Sequence, residues 1–316
     1  MRITNMMRVS DFLWHVENRT SRLYDLQNQI SSGYRLHRPS DDPVGVQQAM
    51  MLAEQISQNE QYSRNVDNGL SRLSYTENAL TQINDLIVSL DSLAIQGDNT
   101  TNSDPDYENL AIQAEQVIQQ LIAQANSQYQ GVFVFAGQWT TTMPFEDTQN
   151  PEGVTASVSL VPESPLGEIF REIGQSDLIP INVEGDQLFM PDGEGEMSDL
   201  FWVAIQIRDT LNNNGEPPPG YEEVYDLPML RDALESIRER ITGVQSEVGA
   251  RVQRMNNIAS QLLDTNLTLT DALSNVEDTD IVQAAMDLQL DQVAYQATLN
   301  VGAMILQPSL LDYLAV

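Results

Sequence analysis

The chain has 316 residues, with 46 acidic and 15 basic side chains, a formal net charge of −31 and no cysteine. Such a negative chain repels nucleic acid and anionic membranes, so we expect no partner of either kind. The absence of cysteine excludes disulfides, thiolate nucleophiles and thiolate metal sites. Two explanations of the acidity stay open: a salt-rich habitat in which charge keeps subunits soluble, and a composition without function.

The first predicted helix covers residues 6–32. Its apolar or small positions step by three and four, which is typical of a coiled-coil seam. Gly33 follows as a residue that ends a helix well. Arg8 and Asp11 interrupt the apolar residues where a cleaved signal peptide would have its core, so none is expected. The predicted seam consists of Val9, Leu13, Val16, Thr20, Leu23, Gln27 and Ile30.

The second helix is predicted to begin near Ser40. Ser40 is a good N-cap, Asp41 and Asp42 favour the positive helix end, and Pro43 is tolerated in the first turn. Arg35 or Arg38 is expected to pair with these carboxylates. A metal or acid–base site is the alternative for this acidic cluster.

The same helix is predicted to continue until Gly97. Asp104 and Pro105 then restart a helix that runs to about residue 129. The seam positions of these helices are Val46, Met50, Ala53, Val66, Leu70, Leu73, Glu77, Leu80, Asn84, Ile87, Leu90, Ala94, Leu110, Ala114, Val117, Leu121, Ala125 and Gln128.

The middle of the chain changes character. Residues 131–226 hold most of the glycine and proline, and short β-branched or aromatic runs predict strands at 132–135, 154–161 and 179–183. A short helix is expected at 199–211. This part is therefore predicted to be a small β-rich domain.

The return helix is predicted to begin at Asp226 and Pro228, with the most regular seam of the chain. At about 1.5 Å per residue it extends for roughly 70 Å. Asp278 is expected to cap a last helix that ends at Pro308. The two seams consist of Leu230, Leu234, Ile237, Ile241, Val244, Val248, Val252, Met255, Ile258, Leu262, Thr265, Leu269, Ala272 and Val276, and then of Ile281, Ala285, Leu288, Gln292, Tyr295, Leu299, Gly302 and Leu306.

Heptads at both ends require mutual packing, because a single long helix with an exposed apolar seam is unstable. We therefore predict an α+β fold, in which an antiparallel helical bundle or coiled coil from both termini carries an inserted β-rich domain. The predicted domains are 1–60 with 270–316, then 61–130 with 226–269, and 131–225.

Few residues suggest chemistry. His15 and His37 have no second histidine nearby, which argues against zinc or catalysis. Asp192, Glu194 and Glu196 alternate with glycine and could hold Ca²⁺, although an EF-hand spacing is absent and a solvated turn explains them as well. No cofactor or metal is predicted. An enzyme or ligand-binding module in 138–226 stays as a remote alternative.

Three motifs resemble the bacterial flagellin family. They comprise Ser32, Gly33, Arg35, Pro39, Ser40, Asp41, Asp42 and Pro43 near the start, Gly131, Phe135 and Gly137 at the edge of the β-rich region, and Gln307, Pro308, Leu310 and Leu311 near the end. The resemblance covers about 1–140 and 226–316. Within the family, residues 1–7 and 306–311 look like the members that join hook to filament more than like the filament subunits, which remain the alternative.

The resemblance implies a structural protein of the flagellum, with no enzymatic activity. The implied partners are hook-associated protein 1, flagellin, further copies of this chain in a ring, and a cytoplasmic export chaperone. It implies type III export without a cleaved signal, and a location outside the cell. The terminal helices would make axial contacts between subunits, which order fully on assembly.

Overall fold

A computed structural model describes residues 5–99, 101–151, 153–161, 167–216 and 225–306. Long helices occupy both ends of the chain and small antiparallel hairpins lie between them in sequence, which is the predicted α+β class. The helices are α1 (Asn5–Ser32), α2 (Pro43–Gly97), α3 (Asp104–Ala125), α4 (Gly185–Phe189), α5 (Leu200–Asn212), α6 (Leu227–Glu277) and α7 (Ile281–Leu306). The strands are β1 (Gln128–Tyr129), β2 (Val132–Phe133), β3 (Phe145–Gln149), β4 (Thr155–Leu160), β5 (Phe170–Gly174) and β6 (Asp177–Pro180).

The chain divides into two compact units. Unit 1 consists of Met1–Asn59 with Asp264–Val316, and unit 2 consists of Glu60–Leu263. Helices α2 and α6 each contribute residues to both units. The three-way division predicted from the sequence stays a prediction.

The start of α2 differs from the prediction, because Asp42 and not Ser40 caps this helix. The Asp42 carboxylate accepts the backbone N–H of Gly45 at 3.0 Å. Ser40 lies in a turn that the N–H of Asp41 closes by donating to the carbonyl of Arg38 at 3.0 Å. Helical geometry therefore begins only at Pro43, where the fixed φ of proline suits the first helical position.

The cap of α7 is also displaced by two residues from the predicted Asp278. Asp280 accepts the backbone N–H groups of Val282 at 2.9 Å and Gln283 at 3.0 Å. Asp278 instead accepts a hydrogen bond from Ser274 and lies in a β-bridge opposite Tyr34.

Helix α3 ends at Ala125, four residues before the predicted end. Asn126 explains the early stop, because its side-chain amide donates to the carbonyl of Phe145 at 2.8 Å and accepts the N–H of the same residue at 3.1 Å. An asparagine side chain that bonds to backbone in this way competes with continuation of a helix.

In the described part of the β-rich region, the strands form three separate two-stranded antiparallel hairpins, β1–β2, β3–β4 and β5–β6. The predicted strands at 132–135 and 179–183 are shorter in the structure, where β2 ends at Phe133 and β6 ends at Pro180. The prediction for 154–161 matches β4, and the short helix at 199–211 matches α5. Strands β1, β3 and β5 and helix α4 were not predicted, and β1 lies where the end of a helix was expected.

The main core lies in unit 2. Seam residues of α2, α3 and α6 pack there with α5, and four phenylalanine rings fill the space beside the hairpins. The rings of Phe135 and Phe189 meet edge to face at 5.3 Å between centroids, and Phe145 lies 5.4 Å from Phe189 and 5.3 Å from Phe201. Such aromatic contacts contribute beyond the apolar area that they bury.

The predicted seam of α6 is confirmed in its first half, where Leu230, Leu234, Ile237, Ile241, Val248 and Met255 are buried. The seam of α2 is confirmed from Val66 onward. At the start of α2 the prediction was wrong, because Met50 and Ala53 are exposed whereas Ala49 and Leu52 are half-buried. Thr265 of α6 and Gln128, which lies in β1, are also exposed.

Candidate functional site

The terminal helices α1 and α7 pack on each other within unit 1 and run antiparallel. Arg19 contacts Asp291, while Phe12 lies against Gly302, where any side chain would collide with its ring. The inward face of α1 is Val9, Phe12, Val16, Arg19, Leu23, Leu26 and Ile30. The predicted members Leu13, Thr20 and Gln27 are exposed, so the sequence seam was one residue out at every second position.

The inward face of α7 is organised around a buried carboxylate. Asp291 is 8 % exposed and contacts Arg19 at 3.3 Å and Arg22 at 3.2 Å. Ala284, Leu288, Tyr295, Thr298 and Gly302 share this face, whereas the predicted members Ile281, Gln292 and Leu299 are exposed. A helical seam that includes Phe12 and Leu26 also includes Arg19. A charged residue at a seam position was therefore the feature of the sequence that could have predicted an acidic partner on the facing helix.

Large apolar side chains remain on the outward faces of unit 1. Leu13 and Trp14 on α1 are 58 % and 62 % exposed, and Leu290 on α7 is 68 % exposed. Further exposed members are Met6, Met7, Tyr24, Val44, Met50, Met51, Ile281, Val282, Met286, Val293, Leu299, Val301 and Met304. So many exposed large apolar side chains on two helices are typical of a surface that contacts other proteins.

The motif that begins at Ser32 joins the end of α1 to the junction of α6 and α7. Gly33 has a φ of +82°, which glycine adopts without strain. The carbonyl of Gly33 accepts the N–H of Thr279 at 2.8 Å, and the N–H of Arg35 donates to the carbonyl of Glu277 at 2.6 Å. The Arg35 guanidinium donates to the carbonyl of Val276 at 2.8 Å and satisfies a terminal carbonyl of α6.

The carboxylates of this motif have structural partners. Arg35 contacts Asp42 at 3.5 Å, which confirms one of the two ion pairs that the sequence predicted. The backbone N–H of Gly45 and the nearby Arg35 guanidinium hold the pKa of Asp42 below its ordinary value. Asp41 accepts the N–H of Arg38 at 2.9 Å, and the prolines at 39 and 43 bracket the turn. Capping and turn formation therefore account for the cluster.

The second motif lies in unit 2, at the start of the β-rich region. Gly131 has a φ of +82° in the β1–β2 turn, and Gly137 has a φ of +59°. Phe135 is buried, and its carbonyl accepts the N–H of Gly185 at 3.1 Å. A side chain on Gly185 would lie 2.7 Å from that carbonyl oxygen, so the two segments touch through bare backbone. The third motif, Gln307, Pro308, Leu310 and Leu311, lies outside the described residues.

A buried ionic network that the sequence did not reveal joins α3, β4 and α5 in unit 2. Glu115 accepts from Arg208 at 2.6 Å and from the hydroxyl and N–H of Thr155 at 2.7 and 3.1 Å. Arg208 also contacts Asp209 at 2.5 Å. Burial raises the pKa of Glu115, but the hydrogen bonds from Arg208 and Thr155 outweigh burial and leave that pKa below its ordinary value.

A polar cavity of about 440 Å³ lies in unit 2 between α6 and the segment around Asn182. Its cation, Arg251, is paired with Glu247 at 2.6 Å and Glu168 at 3.7 Å. Among the described residues, the side chains that line it include no serine, cysteine or histidine. Burial, helped by Asp186 and Glu168, raises the pKa of Glu184 beside it.

Other chemistry considered from the sequence finds little support. Within the described ranges, no group of three or more histidine, cysteine, aspartate or glutamate side chains is arranged to hold a metal ion. This includes the turn with Asp192, Glu194 and Glu196. His15 stacks edge-on against Trp14, and His37 hydrogen-bonds the Ser32 hydroxyl at 2.8 Å. No described helix is long and apolar enough to cross a membrane.

Comparison with known proteins gives a consistent result. Residues 3–140 match the family described as the bacterial flagellin N-terminal helical region. The chain is 25% identical over 305 residues to flagellar hook-associated protein 3 of Salmonella typhimurium, covering 94% of this chain and 95% of that protein. It is 23% identical to a flagellin of Escherichia coli, of which the alignment covers 58%.

A solved structure supports the fold. The flagellar junction protein FlgL from Legionella pneumophila superposes with a TM-score of 0.55 at 17% identity, and the match covers 73% of this chain and all of that one. At this identity the likeness bears on the fold alone.

Proposed function

We propose that this chain, which belongs to the bacterial flagellin family, is a structural protein of the junction between the flagellar hook and its filament. The observation that carries the proposal is its end-to-end similarity to flagellar hook-associated protein 3, which covers 95% of that protein. The flagellin match covers 58% of its counterpart, so a filament subunit is the weaker interpretation.

The exposed apolar faces of α1 and α7 support an assembly role. Burial of one large apolar side chain stabilises a contact by about 1.5–3 kcal/mol. Unit 1 therefore has a strong driving force to bind neighbouring subunits through its terminal helices. The partners proposed are hook-associated protein 1 on one side, flagellin on the other, and further copies of this chain in a ring.

The motif residues have a proposed role in that assembly. Gly33 and Arg35 hold the end of α1 against the α6–α7 junction. These contacts fix the direction in which α1 and α7 extend from that junction. Phe135 and the glycines beside it fix the base of the proposed β-rich outer domain. Gln307, Pro308, Leu310 and Leu311 are proposed to complete the axial contact.

We also propose that the chain has a mechanical role and that it is exported through the flagellar apparatus. The chain acts mechanically and not as an enzyme, and the pairing of Arg251 with Glu168 and Glu247 in the polar cavity beside α6 supports this. It reaches the cell exterior unfolded, through the flagellar export apparatus, with a cytoplasmic chaperone on its C-terminal helices.

Deletion of the gene in its host tests the junction role. We expect hooks without filaments under the electron microscope, and unpolymerised flagellin in the medium. A plasmid copy of the wild-type gene should restore filaments. Normal filaments in the deletion strain would contradict the proposal, whereas absence of any flagellin from the medium would favour a filament subunit.

A further inference from the structure

Arg72 is a buried arginine in unit 2, on the face of α2 that meets the β5–β6 hairpin. It is 8 % exposed. Asn65 lies two helical turns earlier on the same face, and its side-chain amide donates to the carbonyl of Glu172 in β5 at 2.7 Å. Gly69, between them, leaves the space that Ile181 and Met255 occupy. The hairpin is thus held closely over this stretch of the helix.

The Arg72 guanidinium has no acceptor among the described residues for two of its nitrogens. Its Nε and Nη2 are enclosed and make no hydrogen bond. The charged group that acts on its pKa is Arg171 of β5, which is exposed and also positive. Burial, and then Arg171, lower the pKa of the Arg72 guanidinium.

Two other arginines of unit 2 show how a guanidinium is usually accommodated here. Arg208 is paired with Glu115 and Asp209. Arg240 donates to the carbonyls of Leu188 at 2.9 Å and Ser198 at 2.7 Å. A guanidinium without such partners is costly to bury, and a second positive charge adds to that cost. The chain has 46 acids, yet among the described residues neither Arg72 nor Arg171 is paired with a carboxylate, which favours an anion as their partner.

We propose that Arg72 and Arg171 form an oxyanion-binding site. The planar guanidinium offers parallel N–H donors that suit carboxylate, sulfate and phosphate oxygens. The oxyanion is either an acidic side chain of a second copy of this chain or a free ion from solution. The first source rests on the proposed assembly of several copies, whereas the second does not.

Sulfate is the probe for a free ion. In the ¹⁵N-labelled full chain, the Nε–Hε resonance of Arg72 is the one that disappears in the Arg72→Met variant. We expect this resonance to shift with millimolar sodium sulfate and to saturate. Sodium chloride at the same ionic strength should shift it much less, because chloride is a single acceptor atom, whereas sulfate offers two oxygens that match two parallel N–H donors.

Two variants control this titration. Arg64→Met removes an exposed arginine from the same helix, and the sulfate response of Arg72 should be unchanged in it. Arg171→Met keeps Arg72 and removes its neighbour, so the apparent dissociation constant for sulfate should rise several-fold. The Arg171 position is exposed, so this variant keeps the test valid even where Arg72→Met folds poorly.

Sedimentation of the full chain tests the second source. A carboxylate from another copy predicts that Arg72→Met weakens self-association at least tenfold, that Arg64→Met does not, and that added sulfate competes. A saturable sulfate shift without this effect assigns a free ion. The site is refuted if the Arg72 resonance is indifferent to sulfate, or responds equally to chloride, while self-association is absent or unchanged in Arg72→Met. Normal filaments in the gene deletion would refute the junction role and leave the sulfate result standing.

Discussion

Units 1 and 2 use similar helices in opposite ways. In unit 2 the seam residues of α2, α3 and α6 are buried together with the aromatic cluster. In unit 1, among the residues whose burial is described, Ala284 is the only buried hydrophobic one, and most large apolar side chains are exposed. The contrast indicates that unit 2 carries the stability of the single chain, and it supports the proposal that neighbouring subunits complete unit 1.

The difference extends to ion pairs. In unit 2 the Glu115–Arg208 pair is enclosed, with Arg208 only 5 % exposed. In unit 1, Asp291 is enclosed but its partners Arg19 and Arg22 keep 37% and 70% of their side-chain surface exposed. Since water screens the second pair more, its loss should matter less to the isolated chain.

The largest effect is expected from Glu115→Ala in unit 2. The change leaves Arg208 buried without its main acceptor, and breaking a buried pair in this way costs about 3–5 kcal/mol. Denaturant unfolding followed by circular dichroism measures this cost as a lower midpoint. Glu108→Ala, an exposed position on the same helix, is the control and should change stability by less than about 0.5 kcal/mol. Equal midpoints for the two variants would show that the network contributes nothing.

The next effect concerns pH and Asp199, which caps α5. Burial raises the pKa of Asp199 to about 6, although the N–H groups of Gly195, Trp202 and Phe201 oppose the shift. A raised folded-state pKa means that the carboxyl adds stability below its unfolded value of about 4, and that this stability is lost as pH rises through 6. A shift of roughly two units corresponds to about 3 kcal/mol.

Asp199→Asn isolates that contribution, because the amide keeps an acceptor for the cap and does not titrate. The stability of the wild type relative to this variant should fall between pH 4 and pH 7, measured by guanidinium unfolding at each pH. Asp192→Asn, an exposed neighbour, should show no such trend. A constant difference between wild type and Asp199→Asn would contradict the raised pKa.

A smaller effect is expected in unit 1 from Asp291→Asn. It neutralises the partner of Arg19 and Arg22, and the loss of a largely screened pair costs about 1 kcal/mol. Hydrogen exchange should show faster opening of α1 and α7 and unchanged protection in α5. Asp25→Asn removes the same charge from an exposed site on α1 and serves as the control. Uniform destabilisation of both units would contradict their independence.

The sequence predicted what depends on periodicity. The α6 seam recurs so regularly that one phase fits, and its first half is buried as predicted. On α1 two phases fit almost equally, because Leu13 and Phe12 are both apolar. The polar seam member Arg19 identifies the correct phase only through Asp291, which lies 272 residues away in sequence.

Local signals failed where a distant partner decided the outcome. Asn126 ends α3 because its side chain forms hydrogen bonds with the backbone of Phe145. Ser40 and Asp278 are good caps in isolation, yet both take part in other contacts. The Glu115–Arg208 pair gives no pattern in sequence, since the two residues come from separate elements.

The smallest effect on the isolated chain, and the largest in the cell, is expected from Leu290→Asp. Leu290 is 68 % exposed on α7, so a charge there should change the free energy of unfolding by less than about 0.5 kcal/mol. In a neighbour's interface the same charge would be buried without a partner and would weaken assembly. We therefore expect normal thermal unfolding together with failure to restore filaments in the deletion strain. Gln289→Asp adds the same charge at the adjacent exposed polar position. It should restore filaments if the exposed apolar side chains of α7 make the contact. Restoration by both variants would mean that the outward face of α7 stays in water after assembly, and that unit 1 is completed through α1 instead.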